Sequence, residues 1–115
     1  MRMGNSFYEA AKSTKEEELY KKAETAFQEV RNGEGAGIEL KAESSYMMGE
    51  CRKEIKDWGA AGFYYLETTL SFPSAQKWVP KSFEQAIRCY EQAGLVDQIS
   101  GIEKQYADWQ RNYLE

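Results

Sequence analysis

Reactive chemistry in this 115-residue chain has few side chains to work with. There is no histidine, which removes the commonest general base, the commonest metal ligand and every Ser-His or Cys-His nucleophile arrangement. Cys51 and Cys89 stand 38 positions apart with no Cys-x-x-Cys pair, so neither a zinc site nor a thioredoxin-like redox motif can be assembled from them. Two thiols are also too few for a disulfide scaffold, and they read most simply as small packing residues. Gly33-Glu34-Gly35-Ala36-Gly37 is glycine-rich like a phosphate loop but lacks the Lys-Ser/Thr that completes one, so it reads as a flexible connection. Glu16, Glu17 and Glu18 with Lys21 and Lys22 resemble a carboxylate cluster only until they are placed on a helix, where Glu17 faces Lys21 and Glu18 faces Lys22 as solvated pairs. No catalytic residue, metal ligand or cofactor is assigned, and the expectation is a protein that is not an enzyme.

The cysteine interval belongs to a wider pattern. Ala11, Gly49 and Ile87 are each 38 residues apart, and so are Ala23, Ala61 and Ile99. A fixed period of this size is what stacked helical hairpins leave behind, because each hairpin offers the same apolar seam to the next. Helix breakers cluster: Pro73 and Pro80 flank one junction, and Gly33, Gly35 and Gly37 crowd another. Ile99, Ile102, Tyr106, Trp109 and Tyr113 step by three and four along one helical face. Asp57 is expected to cap a helix that Pro73 stops, and Ala93-Gly94-Leu95 ends another with a C-terminal glycine. In the first repeat no breaker marks the turn near Glu17 to Leu19, while Ser13 and Glu16 have capping-box spacing, so the first helix is either a short stub or continuous with the second. The expected helices are 4–15, 17–32, 38–55, 58–72, 79–93 and 96–114, forming a single all-α domain over 1–115 with repeats 4–41, 42–79 and 80–115.

Charge and hydropathy narrow the partners. Fifteen basic residues against nineteen acidic ones give a net charge of −4 with no single-sign block, which disfavours a nucleic-acid partner. No run of eighteen apolar residues exists and the opening residues are mixed polar, so a soluble chain with no direct membrane insertion is expected.

The second repeat runs from Tyr46-Met47-Met48-Gly49 through Asp57-Trp58-Gly59-Ala60-Ala61 to Tyr65 and Phe72-Pro73. It resembles a tetratricopeptide repeat: a small residue in the first helix, an alanine twelve positions on, an aromatic four later, then a closing proline. The first repeat keeps Ala11, Ala23 and Phe27 but has glycines for the proline, and the third keeps Phe83, Ala86 and Tyr90 but has Ile99 and Glu103 where alanine and an aromatic belong. The 38-residue interval exceeds the family's usual length of about 34. In this, and in the Ser71-Phe72-Pro73-Ser74 junction, the chain looks like bacterial cell-envelope members of the family such as the Tol-Pal-associated coordinator. That junction favours the periplasm, whereas the unpaired cysteines and absent leader favour the cytoplasm, the compartment expected here.

The resemblance implies a right-handed solenoid of three antiparallel hairpins whose first helices line a concave groove for a peptide or helix of a protein partner. Those helices carry Asn5, Tyr8, Lys12 and Lys15, then Glu43, Tyr46, Glu50 and Lys53, then Lys81, Glu84, Arg88 and Glu91. Tyr8, Lys12, Tyr46, Glu50, Lys53, Lys81 and Arg88 are the expected partner-binding residues, with the two tyrosines as amphipathic anchors and Lys12, Lys81 and Arg88 as pairs for a partner carboxylate. The same charges also fit an ordinary solvated face. The clamp that holds chaperone C-terminal tails in some family members is not expected, because Tyr8 and Met47 occupy two of its polar positions.

The last helix adds a further expectation. Tyr106, Trp109, Tyr113 and Leu114 supply more apolar surface than one neighbour obviously covers. Either a further repeat follows, or the chain self-associates as a homodimer through Tyr106, Trp109 and Tyr113, or these rings wrap back on Tyr64, Phe72 and Trp78. A protein-interaction scaffold leads these readings, ahead of a self-associating structural module. A small-molecule site formed by Tyr64, Tyr65, Trp78 and Tyr90 would require an enclosed cavity.

Overall fold

The described residues form six α-helices. The computed structural model describes residues 2–14 and 17–114, with the side chains of 4–12 and 17–114. The helices are α1 (Arg2–Thr14), α2 (Glu17–Asn32), α3 (Ile38–Glu54), α4 (Trp58–Ser71), α5 (Val79–Gln92) and α6 (Ile99–Tyr113), with a 3₁₀ turn over Val96–Gln98. No strand occurs among the described residues. All six lie within a residue or two of the expected spans, except that the first turn of the sixth is 3₁₀ rather than α. The first two helices are separate, while the Ser13–Glu16 capping box and Lys15 lie outside the described residues.

Two helix ends close by the same backbone device. After α5 the Leu95 amide bonds the Tyr90 carbonyl (2.9 Å) and the Gly94 amide bonds Glu91 (3.1 Å), with Gly94 at φ 78°. After α3 the Asp57 amide bonds Arg52 (2.9 Å) and the Lys56 amide bonds Lys53 (2.9 Å), with Lys56 at φ 62°. Both are the paired 6→1 and 5→2 bonds of a Schellman ending, which needs a left-handed residue; glycine meets that need freely and lysine under strain. Asp57 does not cap α4 with its side chain. That carboxylate instead accepts a hydrogen bond from Arg52 at 3.1 Å, leaving the Asp57 carbonyl to receive the Ala61 amide at 2.9 Å.

Each helix packs on the next in chain order, and the Cα envelope measures 38 × 35 × 18 Å. Its short axis is the thickness of two helix layers about 8–10 Å apart. Contacts across the sequence identify the layers. Tyr8 on α1 meets Glu50 on α3, and Lys53 on α3 meets Gln85 on α5, so the odd helices are neighbours. Arg31 on α2 pairs with Glu67 on α4, and Tyr64 donates to Glu24 at 2.9 Å, so α2 and α4 are neighbours in the other layer.

The repeating positions of the first two repeats lie where the layers touch, whereas Ile87 and Ile99 in the third are half-buried. Ala11, Ala23, Ala61, Phe27 and Tyr65 are all fully buried. A Cβ on Gly49 would stand 2.7 Å from Tyr65 Cε1, and one on Gly62 would stand 2.5 Å from Tyr90 Cε1. Small residues recur here because an aromatic ring from the next helix occupies the space a side chain would fill. Helix α3 is flanked by α2, α4 and α5, and it buries Ala42, Ser44, Ser45, Met48, Gly49 and Cys51. Its hydroxyls are satisfied within the fold: Ser44 donates to the Leu40 carbonyl (2.9 Å), and Ser45 and Thr68 share a hydrogen bond (2.8 Å).

Trp109 is buried, and its indole nitrogen donates to the Pro73 carbonyl at 2.6 Å. Tyr106 stacks on Phe83 at 4.8 Å between ring centroids, and Trp109 on Tyr113 at 5.9 Å. Phe72 and Trp78 belong to the same apolar cluster, whereas Tyr64 packs in a different one with Tyr8, Tyr20 and Phe27. Of the terminal aromatics, Trp109 and Tyr106 are thus largely covered from within the chain, while Tyr113 and Leu114 remain exposed.

Candidate functional site: the odd-helix face

Glu50 is the centre of this face. It projects from α3 toward α1 and α4, and its carboxylate receives hydroxyls from both. Tyr65 on α4 donates at 2.6 Å, Tyr8 on α1 lies at 3.4 Å, and Tyr46 stands one turn before Glu50 on its own helix. Lys53, three residues on, holds its ammonium 3.4 Å from the same carboxylate and donates to Gln85 Oε1 at 3.4 Å. Burial, and secondarily the Glu50 charge, raises the hydroxyl pKa of Tyr8, Tyr46 and Tyr65 well above the ordinary phenol value. All three therefore stay protonated as donors at neutral pH.

An aromatic platform lies next to this hub. The Tyr46 ring stands 5.3 Å from Tyr65 and 5.4 Å from Trp78, which sits at the N-terminus of α5. Lys77 and Lys81 each place an ammonium 5.0 Å from the Trp78 ring centroid, within cation–π range. At the other end Lys12 stands 5.6 Å above the Tyr8 ring. Cation, ring, carboxylate, ring, ring and cation thus follow one another from α1 to α5.

Of the expected residues, Tyr8, Tyr46, Glu50 and Lys53 are brought into direct contact, with Lys12 and Lys81 at the two ends; Arg88 is exposed farther along α5. What each offers differs from the expectation. Tyr8 is only 6% exposed and its hydroxyl is already engaged, so little of it remains to anchor a partner. Glu50 is likewise occupied by internal donors, which makes it a strut between helices. The accessible surface belongs to Tyr46, Trp78 and the lysines. Trp78, Lys77, Gln85 and Tyr65 were not among the expected residues. Lysines at i−1 and i+3 around a tryptophan that opens a helix are the visible signal for the first two, whereas Tyr65 and Gln85 depend on helix packing.

A second polar network joins α2 to the α3–α4 turn. Arg52 places Nε 2.7 Å and Nη2 3.1 Å from the two oxygens of buried Glu24, whose Oε1 also accepts the Tyr64 hydroxyl at 2.9 Å. Hydrogen bonding to Glu24 raises the Arg52 pKa. Its donors and acceptors are engaged with one another across α2, α3 and α4, so this network ties the first repeat to the second.

The thiols are buried and free; burial pushes Cys51 up to about 12 and Cys89 up to about 11, far from a reactive thiolate. Among the described residues, no group of three or more His, Cys, Asp or Glu is arranged to hold a metal ion. An open cleft of about 570 Å³ lies between Lys12, Tyr20 and Glu54, and another of about 230 Å³ between Leu70, Phe83, Trp109 and Tyr113. Tyr64, Tyr65, Trp78 and Tyr90 line neither, and Tyr65 and Tyr90 instead fill the space beside Gly49 and Gly62.

Compared with known protein families, with curated proteins and with solved structures, the chain matches none. Its function is therefore argued from its own geometry. Among the described residues, no helix is long and apolar enough to cross a membrane.

Proposed function

We propose that this chain is a tetratricopeptide-like solenoid whose odd-helix face holds a peptide or helix of a protein partner, without catalysis. The observation that carries the reading is the Tyr46–Trp78 ring pair (5.4 Å) beside exposed lysines on the layer formed by α1, α3 and α5. Aromatic rings that are rigidly held and partly covered lose little entropy when a partner buries the rest, which makes them suited to anchor a ligand. The 38-residue period supports the repeat architecture, because its small members Ala11, Ala23, Gly49 and Ala61 are all buried. The Glu50 hub fixes the relative positions of α1, α3 and α4, so the face is rigid before a partner arrives. The buried thiols and the absence of histidine leave no Cys-His or Ser-His pair for covalent catalysis.

Selection of a displayed random peptide library tests the reading. Enrichment that is lost when Tyr46 is replaced by Ser, in a variant that keeps its helical circular dichroism, supports a peptide-binding face. Enriched peptides that bind both proteins equally place binding elsewhere. A self-associating module is the second reading, favoured by exposed Leu70, Tyr113 and Leu114 around the cleft beside Trp109. A mass by light scattering that doubles with concentration, and stays single in Leu114→Asp, supports that alternative.

A further inference from the structure

We infer that the segment held on this face is acidic, with its carboxylates drawn to Lys77 and Lys81 and an adjoining apolar residue laid against Trp78 and Tyr46; this rests on the peptide-binding reading above. Both ammonium groups approach the Trp78 ring to 5.0 Å, so an acidic segment laid along this ring has a positive charge within reach at each lysine. Lys77 and Lys81 are exposed, and neither lies within 4.0 Å of a carboxylate among the described residues. The acid of the neighbouring hub is different: Glu50 is already committed to Tyr65, Tyr8 and Lys53. Two further acids stand near this edge, exposed Glu84 one turn beyond Lys81 and half-buried Glu43 one turn before Tyr46, and neither lies within 4.0 Å of Lys77 or Lys81.

Charge complementarity selects the occupant. The chain carries a net charge of −4, yet this edge presents two cations on an aromatic surface. A basic segment would be repelled by the pair, and a purely apolar one would bury two ammonium groups without a partner, at a desolvation cost. An acidic segment with an apolar neighbour satisfies both the ring and the charges. A lysine ammonium is a point charge without the fork of a guanidinium, so the carboxylate has latitude in position and the selected sequences should share composition more than strict spacing.

The test is selection of a random dodecapeptide display library on the native chain, on Lys77→Glu/Lys81→Glu, and on Lys22→Glu/Lys104→Glu as a variant with the same change in net charge elsewhere. The proposal expects enriched peptides with Asp or Glu beside Leu, Phe, Trp or Pro. Synthetic copies of them, read by fluorescence anisotropy, should lose at least about tenfold in affinity when their acids become amides, and as much on the Lys77/Lys81 variant. The Lys22/Lys104 variant should bind nearly as the native chain does, and affinity should fall with added salt. Enriched peptides without acids, lost on Tyr46→Ser but held by Lys77→Glu/Lys81→Glu, would overturn the acidic class while keeping the peptide-binding face. No enrichment that depends on Tyr46 would overturn both. A concentration-dependent dimer dissolved by Lys77→Glu/Lys81→Glu would assign the lysines to a second copy and overturn the proposal.

Discussion

Gly49→Ala offers a sharp test of how the layers are joined. In an ordinary helix the change favours folding by about 1 kcal/mol, because alanine loses less backbone entropy than glycine. Here the new Cβ would lie 2.7, 2.8 and 2.9 Å from three atoms of the Tyr65 ring, distances that force a displacement. Tyr65 has little freedom to move, being fully buried with its hydroxyl tied to Glu50 at 2.6 Å. Overpacking of this kind costs about 1–3 kcal/mol, and disturbing a hydrogen bond to a charged group adds about 1 kcal/mol or more. Set against the propensity gain, the net expectation is a loss of about 2 kcal/mol. At about 2.1 cal/mol/K per residue of unfolding entropy, that lowers Tm by about 8 °C. Gly101→Ala, where a new Cβ meets nothing within 4 Å, is the matched control and should be neutral or mildly stabilising. Urea and thermal unfolding followed by far-ultraviolet circular dichroism measure both. A Gly49→Ala protein as stable as its parent would refute the close approach of α3 and α4 at Tyr65.

Other expectations follow from the same contacts. Lys56→Gly relieves a left-handed lysine at φ 62° and should raise stability by about 0.5–1 kcal/mol in urea unfolding, after allowing for glycine's greater freedom in the unfolded chain. Arg52→Met leaves buried Glu24 with Tyr64 and no cation; with Arg52's side chain 28% exposed, the cost should be about 1–3 kcal/mol, and a Glu24→Gln/Arg52→Met double variant should recover part of it. Alkali should unfold the chain. Tyr8, Tyr46 and Tyr65 have folded pKa values above their unfolded value near 10, so their stabilising contribution is complete below that pH and declines as pH rises past it. Cys51 and Cys89 add to the decline from about pH 9. Tyrosinate absorbance should therefore grow together with loss of helicity above pH 10; three tyrosinates appearing near pH 10 with helicity intact would contradict the buried hub.

Helix positions were legible because the prolines and a glycine cluster mark the junctions and the 38-residue period repeats small and aromatic pairs in the first two repeats. Gly49 and Ala61 were readable as contact points for that reason, and the ring at Tyr65 fell four residues after Ala61. The ends of α3 and α4 were less legible. Asp57 has the composition of a cap, yet Arg52 one turn upstream competes for its carboxylate, and a backbone ending that tolerates lysine at positive φ has no residue signature. On the candidate face, counting along the first helix of each hairpin located Tyr46, Glu50 and Lys53. It could not separate residues that point across the groove from those that point into the neighbouring helix. That distinction depends on how near α1 and α3 approach, which is set by packing between layers. Tyr8 and Glu50 consequently read as ligands in sequence but act as internal ties in the fold.

The terminal helix shows how this distinction alters an experiment. From sequence, Trp109→Asp is the natural disruption of a dimer, since Trp109 lies in the middle of an apolar stripe. In the fold Trp109 is 5% exposed and bonded to the Pro73 carbonyl, so an aspartate there would bury a charge among Phe83, Ile102 and Val79. Loss of a dimer in that variant would report unfolding of α6 as readily as loss of an interface. Leu114 and Leu70, at 53% and 73% exposure, can take a charge without entering the core. A dimer that survives both Leu114→Asp and Leu70→Asp would not be held by this end of the molecule. One dissolved by either, with helicity unchanged, would place the interface at the cleft between α4 and α6 and leave the Tyr46–Trp78 face free for a different partner.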